Sequence, residues 1–178
     1  MQDAAAEKRR LRGELLTGRR ARSSAGVEAA RAAVRDGVLA RARAAGWTCV
    51  AAYEPLRTEP GSVELLAALT DLGVRVLVPI TLTDRDLDWT VWGGDGSPLG
   101  VAAVSAAQAV LVPALAVARD GTRLGRGGGS YDRALGRTAP HAPVVALVFD
   151  SELVDNLPRE AWDRPVTDVV TPSGWTVL

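Results

Sequence analysis

Leu124-Gly125-Arg126-Gly127-Gly128-Gly129-Ser130-Tyr131-Asp132-Arg133 is the stretch from which the chain is best read. Four of the five residues from Gly125 to Gly129 are glycine. Glycine loses the most backbone entropy on folding and buries no side chain, so such a run belongs where the chain turns through positive φ or lies against a ligand. The apolar run Val110-Leu111-Val112 precedes it and reads as a strand. Tyr131 to Leu135 reads as the first turns of a helix over 130–137, with Ser130 placed to cap it. A strand, a glycine loop and a helix start together form an anion site, in which backbone N–H groups and the helix dipole favour negative charge. Arg123, Arg126 and Arg133 surround it, and phosphate is the anion they suit. No Gly-Lys-Ser/Thr follows, so this is not a Walker A loop, and Ser130 replaces the third glycine of a dinucleotide fingerprint. The competing reading is a glycine-rich surface turn.

Outward from the loop, short apolar runs alternate with helical patterns. Amphipathic helices are expected over 4–22, with Leu11 and Leu15 toward the core, and over 27–45, ending at Gly46. Strands are expected at 48–53, 74–79, 109–112, 144–149 and 166–170. Further helices are expected over 63–72 behind Ser62 and over 102–107, with a helical turn at 152–157. Leu87, Trp89 and Val91 alternate as a short exposed strand. This order predicts an α/β fold: one domain over 1–178, in three layers, with a mostly parallel central sheet and helices on both faces, Rossmann-like in arrangement. Ligands of such sheets bind beyond the carboxyl ends of the strands, so the loops after Tyr53, Pro79, Val112 and Phe149 should meet on one edge.

At 178 residues, with 47% apolar and 24% charged residues, the chain is sized and composed for one soluble core. Its formal charge is zero, but residues 1–45 hold eleven Lys/Arg against five Asp/Glu. This basic surface suits either an anionic ligand or solvent. A lone cysteine, Cys49, excludes an internal disulfide and a cysteine zinc site, and a lone histidine, His141, sits between prolines. The uncharged run 96–118 contains Pro113 and many alanines, which argues against a membrane span. The charged N-terminus lacks an apolar signal core, so a cytoplasmic protein is expected.

Lys8 is the only lysine beside twenty arginines, and a compact ammonium does what a planar guanidinium does not. Lys8-Arg9-Arg10-Leu11-Arg12 is placed to reach a phosphate, unless one lysine survived by chance. Glu54 and Glu59 lie in the loop after a strand, where Glu59 can accept from a heterocycle N–H or stay a solvated charge. Asp132, beside the glycine loop, either holds Mg²⁺ against phosphates or pairs with an arginine. Asp168 is a candidate second carboxylate. Trp89 and Trp92 either stack on a flat ligand or cover the core.

Taken together, Lys8 to Arg12, Glu59, the segment Pro113 through Arg133, Asp163, and Asp168-Val169-Val170-Thr171-Pro172 resemble the 5-formyltetrahydrofolate cyclo-ligase family over nearly the whole chain. The resemblance implies an enzyme that converts 5-formyltetrahydrofolate and ATP into 5,10-methenyltetrahydrofolate, ADP and phosphate, with Mg²⁺. It implies ATP binding by Lys8, Arg9, Arg10, Leu11, Arg12 and the run Arg123, Leu124, Gly125, Arg126, Gly127, Gly128, Gly129, Ser130, Tyr131. Folate binding would fall to Glu54, Glu59 and Arg126 to Ser130, catalysis to Lys8, Arg126 and Tyr131, and metal binding to Asp132 and Asp168. The expected partners are ATP and a folate, not nucleic acid or a membrane, and the expected state is a monomer. A non-catalytic nucleotide- or folate-binding relative is the main alternative, and a sugar-phosphate or coenzyme A enzyme a third. The chain departs from the family pattern at Ala118, Gln108 and Trp162 and in the short Gly93–Gly100 segment, which lacks a Glu-Pro pair. These departures predict weaker folate binding with nucleotide binding kept.

Overall fold

A computed structural model describes residues 4–178. Its main sheet has seven strands in the order β10-β9-β7-β4-β1-β2-β3. These are β1 (Cys49–Ala51), β2 (Arg75–Thr81), β3 (Leu87–Val91), β4 (Ala109–Pro113), β7 (Val144–Leu147), β9 (Asp168–Thr171) and β10 (Gly174–Val177). The five central strands are parallel, and β3 and β10 close the edges antiparallel. A second, three-stranded sheet joins β5 (Ala116–Ala118), β6 (Arg123–Leu124) and β8 (Leu153–Val154).

The strands read as unbroken apolar runs because both faces of the sheet are buried. Val50, Val76, Val78, Leu111, Val145 and Val170 point to one face, against Val34 and Val38 of α2 (Ser24–Ala45) and Leu65 and Leu69 of α3 (Val63–Asp71). Each such buried side chain contributes about 1.5–3 kcal/mol. Ala51, Leu77, Val110, Val112, Ala146 and Val169 point to the other face. Short pieces rather than long helices cover that face: the 3-10 turn Val101–Ala106, the five-residue α4 (Ser130–Ala134) with its 3-10 extension Leu135–Arg137, and Val117 of the small sheet.

Several local expectations change. The 102–107 segment is 3-10 rather than α-helical. The 152–157 segment is a 3-10 turn, Asp150–Glu152, leading into β8. β3 is not an exposed strand, since Leu87 and Trp89 are buried in the core and Asp88, Thr90 and Val91 are half-buried. Trp89 is therefore a core residue. Ser23 caps α2 by accepting from Gly26 N, so the Ser-Ser break opens the helix three residues before its expected start.

α1 (Ala4–Arg20) departs most from its pattern. Leu11 and Leu15 are only half-buried, and the residues it buries are Lys8 and Arg19. Lys8, Arg12 and Arg19 stand at i, i+4 and i+11, one face of a helix. That cationic face packs inward because it has partners there. Arg19 meets Glu152 through Nε–Oε1 and Nη2–Oε2, both 2.8 Å, and donates from Nη2 to Ala114 O at 2.6 Å.

Candidate functional site

From β1 the chain crosses to β2 on one side, and after β3 it returns to β4 on the other side of β1. The connections thus diverge between β1 and β4, the switch point at which open α/β sheets bind ligands. A cavity of about 250 Å³ opens there, lined by Glu59 after β1, Pro79 and Thr81 of β2, Pro113 and Ala114 at the end of β4, and the whole segment Arg123–Asp132. Three of the four strand-end loops meet as expected. The loop after Phe149 supports the site from behind instead, because its Glu152 holds Arg19 against Ala114.

The cavity continues in two directions. Outward, past Lys8, Arg12, Gly127, Gly129 and Asp132, it widens to about 730 Å³ beneath the segment Arg159–Pro165. Toward β1 it meets a hollow of about 300 Å³ lined by Tyr53, Glu54, Leu56, Glu59, Arg126 and Tyr131.

The glycine loop lies open on the inner cavity. Gly127 (φ +98°) and Gly129 (φ +71°) hold left-handed backbone that side chains rarely adopt. A Cβ on Gly127 would also stand 3.3 Å from Arg12 Cζ, whereas one on Gly128 would make only ordinary contact with Ser130 Oγ at 3.6 Å. Arg12 crosses from α1 to donate from Nε to Gly125 O at 2.9 Å, which docks the helix on the loop. Ser130 does not cap α4. Gly129 is the N-cap and no side chain bonds there. With only five residues, α4 adds little dipole, so the positive character comes from backbone N–H groups and from Arg12, Arg123 and Arg126.

The Arg123 side chain is largely covered, donating to Asp132 Oδ1 at 3.2 Å and to Pro113 O at 3.3 Å, while its Nε has no partner. Glu59 is buried. Its Oε2 accepts from Leu56 N at 2.9 Å, and its Oε1 faces Arg126 Nη2 at 3.4 Å. Tyr131 and Tyr53 each bury a hydroxyl that has no partner. Burial raises both phenol pKa values, so each hydroxyl is a neutral donor rather than a base. Buried polar atoms are usually paired, and unpaired ones lining a cavity point to a polar ligand.

Lys8 stands where the inner and outer spaces join, yet its ammonium is engaged, donating to Glu160 Oε2 at 2.7 Å and Asp163 Oδ2 at 2.5 Å. Arg9 and Arg10 point away from the cavity, and Arg10 pairs with Glu14 at 2.6 Å. Leu11 and Glu54 lie outside the inner cavity, although Glu54 lines the hollow toward β1.

Asp132 lines the inner cavity, but Asp168 is not brought to it. Asp168 opens β9, opposite Val145 near the start of β7, and so lies at the far edge of the sheet. Its oxygens accept from Trp175 Nε1 at 2.8 Å and Thr167 Oγ1 at 2.6 Å, a structural role. The aspartate that does share both spaces with Asp132 is Asp163. Its signal was its place in the same closing segment, and a sequence alone does not show which Asp of that segment turns inward. No group of three or more His, Cys, Asp or Glu is placed to hold a metal among the described residues. No described helix is long and apolar enough to cross a membrane.

Two departures from the family pattern lie away from the cavity. Gln108 Oε1 accepts from Thr48 N at 2.6 Å and Cys49 N at 3.1 Å at the start of β1, the far edge. Ala118 is buried in β5. Trp162 is exposed on the rim of the outer space.

The model of the 5-formyltetrahydrofolate cyclo-ligase family matches residues 4–172. A 5-formyltetrahydrofolate cyclo-ligase of Mycolicibacterium smegmatis is 40% identical over 93% of each chain. The Escherichia coli K12 protein of that name is 44% identical over 36% of each chain. A 5,10-methenyltetrahydrofolate synthetase structure from Mycoplasma pneumoniae shares the fold with a TM-score of 0.81 at 21% identity, covering 93% of this chain and 99% of that one. One from Aquifex aeolicus gives 0.75 at 22% identity, covering 96% and 92%. With the family model spanning nearly the whole chain and a relative this similar over nearly its full length, the chain belongs to the 5-formyltetrahydrofolate cyclo-ligase family.

Proposed function

We propose that this chain converts 5-formyltetrahydrofolate to 5,10-methenyltetrahydrofolate at the expense of ATP, releasing ADP and phosphate. One observation carries the reading. The open glycine loop borders both a cationic space for phosphates and a hollow lined by Glu59, Tyr53 and Tyr131. A γ-phosphoryl group and a flat polar heterocycle can therefore meet over one segment.

The formyl oxygen of an N-formyl amide is a poor leaving group. Phosphoryl transfer to it gives an imidate phosphate. The folate N10 then attacks the formyl carbon, the N10 proton is lost, and the C–O bond breaks with phosphate leaving. Phosphoryl transfer needs positioning and charge neutralisation more than a protein nucleophile. In this reading loop N–H groups cradle the phosphates, and Arg123, Arg126 and Arg12 offset their charge. Glu59, already fixed by Leu56 N, accepts from pterin N–H groups, and the Tyr131 hydroxyl donates into the cavity. Lys8 leaves Glu160 and Asp163 for the polyphosphate.

The residues fit a magnesium ion, which typically takes one or two carboxylates and completes its shell with water and phosphate oxygens. Asp132 Oδ2 and Asp163 Oδ1 accept no hydrogen bond from the described residues, while the other oxygen of each is held by Arg123 and Lys8 respectively. A bound Mg²⁺ would neutralise phosphate charge there.

The reading is tested by phosphate release. Release from ATP should depend on added 5-formyltetrahydrofolate and match it one for one. Equal release without the folate would show a plain ATPase and overturn the reading.

A further inference from the structure

A separate hollow of about 260 Å³ lies where the end of α1, the start of α2 and residues 57–58 meet, and it shares no lining residue with the reaction cavity. Five arginines line it: Arg19, Arg20, Arg22, Arg31 and Arg57. Two are neutralised, Arg19 by Glu152 and Arg31 by Glu28 at 2.8 Å each. Arg20, Arg22 and Arg57 have no ion-pair partner among the described residues. Arg22 donates only to Ser151 Oγ at 2.9 Å and lies over the Phe149 ring. Arg22 also feels the nearby Asp150 carboxylate, so Arg20 and Arg57 are the two charges of this concavity that nothing among the described residues offsets.

Two further features point to a ligand. Arg19, with a side chain only 1% exposed, lines the hollow, and its buried Nη1 has no hydrogen-bond partner. Buried guanidinium donors are seldom left unpaired without a reason. Ser24, the first residue of the 22-residue α2, also lines the hollow, and no acidic residue occupies that helix's first turn. The positive end of a long helix dipole therefore adds to the arginines.

We propose that this hollow is a second anion site that takes a doubly charged phosphate group, either free or carried by a small metabolite. A planar fork such as guanidinium pairs bidentately with phosphate oxygens, and several forks around one concavity suit a tetrahedral dianion.

The test is calorimetric titration of inorganic phosphate at low salt, using the full chain. Gly128→Val puts a side chain into the inner cavity beside the loop, so in that protein the phosphate binding that remains should depend on the arginines of this hollow. Adding Arg20→Gln and Arg57→Gln, two side chains with no partner to lose, should weaken binding by about ten-fold or more per guanidinium. Circular dichroism confirms that each variant is folded. A parallel titration with glycerol 3-phosphate separates the two sources: comparable or tighter binding assigns the site to phosphate esters, and exclusion assigns it to free phosphate. Absence of phosphate binding in Gly128→Val would overturn the proposal. So would an affinity unmoved by the arginine substitutions, or one that chloride matches.

Discussion

Gly128→Val is the sharpest perturbation of the glycine loop. Among Gly127, Gly128 and Gly129, only Gly128 has ordinary backbone torsions, and its Cβ meets nothing closer than Ser130 Oγ at 3.6 Å. The folded chain therefore accepts a side chain there. At Gly127 or Gly129 the left-handed φ alone would cost about 1–2 kcal/mol. The valine at position 128 projects into the space assigned to phosphate and pushes it off the loop. Each charge-assisted hydrogen bond lost is worth about 1.5–3 kcal/mol. Losing two raises the ATP dissociation constant by about 10²–10⁴, at 1.4 kcal/mol per factor of ten. Calorimetry with Mg-ATP reads the change, and thermal unfolding should show a midpoint close to that of the parent. Unchanged ATP affinity in a folded Gly128→Val protein would refute the assignment of the loop to phosphate.

Lys8→Ala should lower turnover by about 10²–10³, the typical loss for one preorganised charge. Lys8→Arg should not restore the parent rate, because the longer planar fork misplaces the charge; parent-level turnover in Lys8→Arg would contradict this. Asp163→Asn should raise the magnesium concentration needed for half-maximal rate, whereas Asp168→Asn should lower thermal stability and leave that requirement alone; steady-state magnesium titrations decide between them. Arg19→Ala strands Glu152 in the interior and should destabilise by about 3–5 kcal/mol, read by denaturant unfolding, while the paired change Arg19→Met with Glu152→Leu should recover much of the loss. Asp86 accepts from Arg137, which ties β3 to the turn after α4, and that hydrogen bond is the main cause of its lowered pKa. A lowered carboxylate pKa stabilises the fold above the unfolded value, about 3.9, and the contribution fades as pH falls through the folded value. Asp86→Asn should therefore flatten the acid limb of a stability–pH curve below about pH 4.

Much of the fold was legible because the parallel strands bury both faces and so appear as uninterrupted apolar runs. Val110-Leu111-Val112 and Val144 to Phe149 are examples. The glycine loop was legible because only a positive φ or a close ligand favours Gly127 and Gly129. The α1 face was harder. Leu11 and Leu15 gave the expected hydrophobic stripe, but Lys8 and Arg19 turn inward because Asp163, Glu160 and Glu152 wait more than 130 residues away. Composition rules place lone charges outside, and only the fold supplies such partners. Asp168 misled for a related reason. A parallel strand has its carboxyl end at the site and its amino end at the opposite edge, and Asp168 begins β9 rather than ending it. The departures at Gln108 and Ala118 suggested weak folate binding. Their positions remove that argument, since one ties the start of β1 and the other is buried in the small sheet, which leaves Trp162 and the short Gly93–Gly100 segment as the changes to weigh.

The most direct measurement mixes the purified chain with 5-formyltetrahydrofolate, ATP and magnesium and follows the absorbance of the methenyl product. The proposed function predicts that the absorbance rises only when all three are present and stays flat with Gly128→Val. A folded protein that binds both ATP and the formylfolate yet produces no methenyl absorbance would contradict it, and would make the chain a binding protein on a cyclo-ligase scaffold.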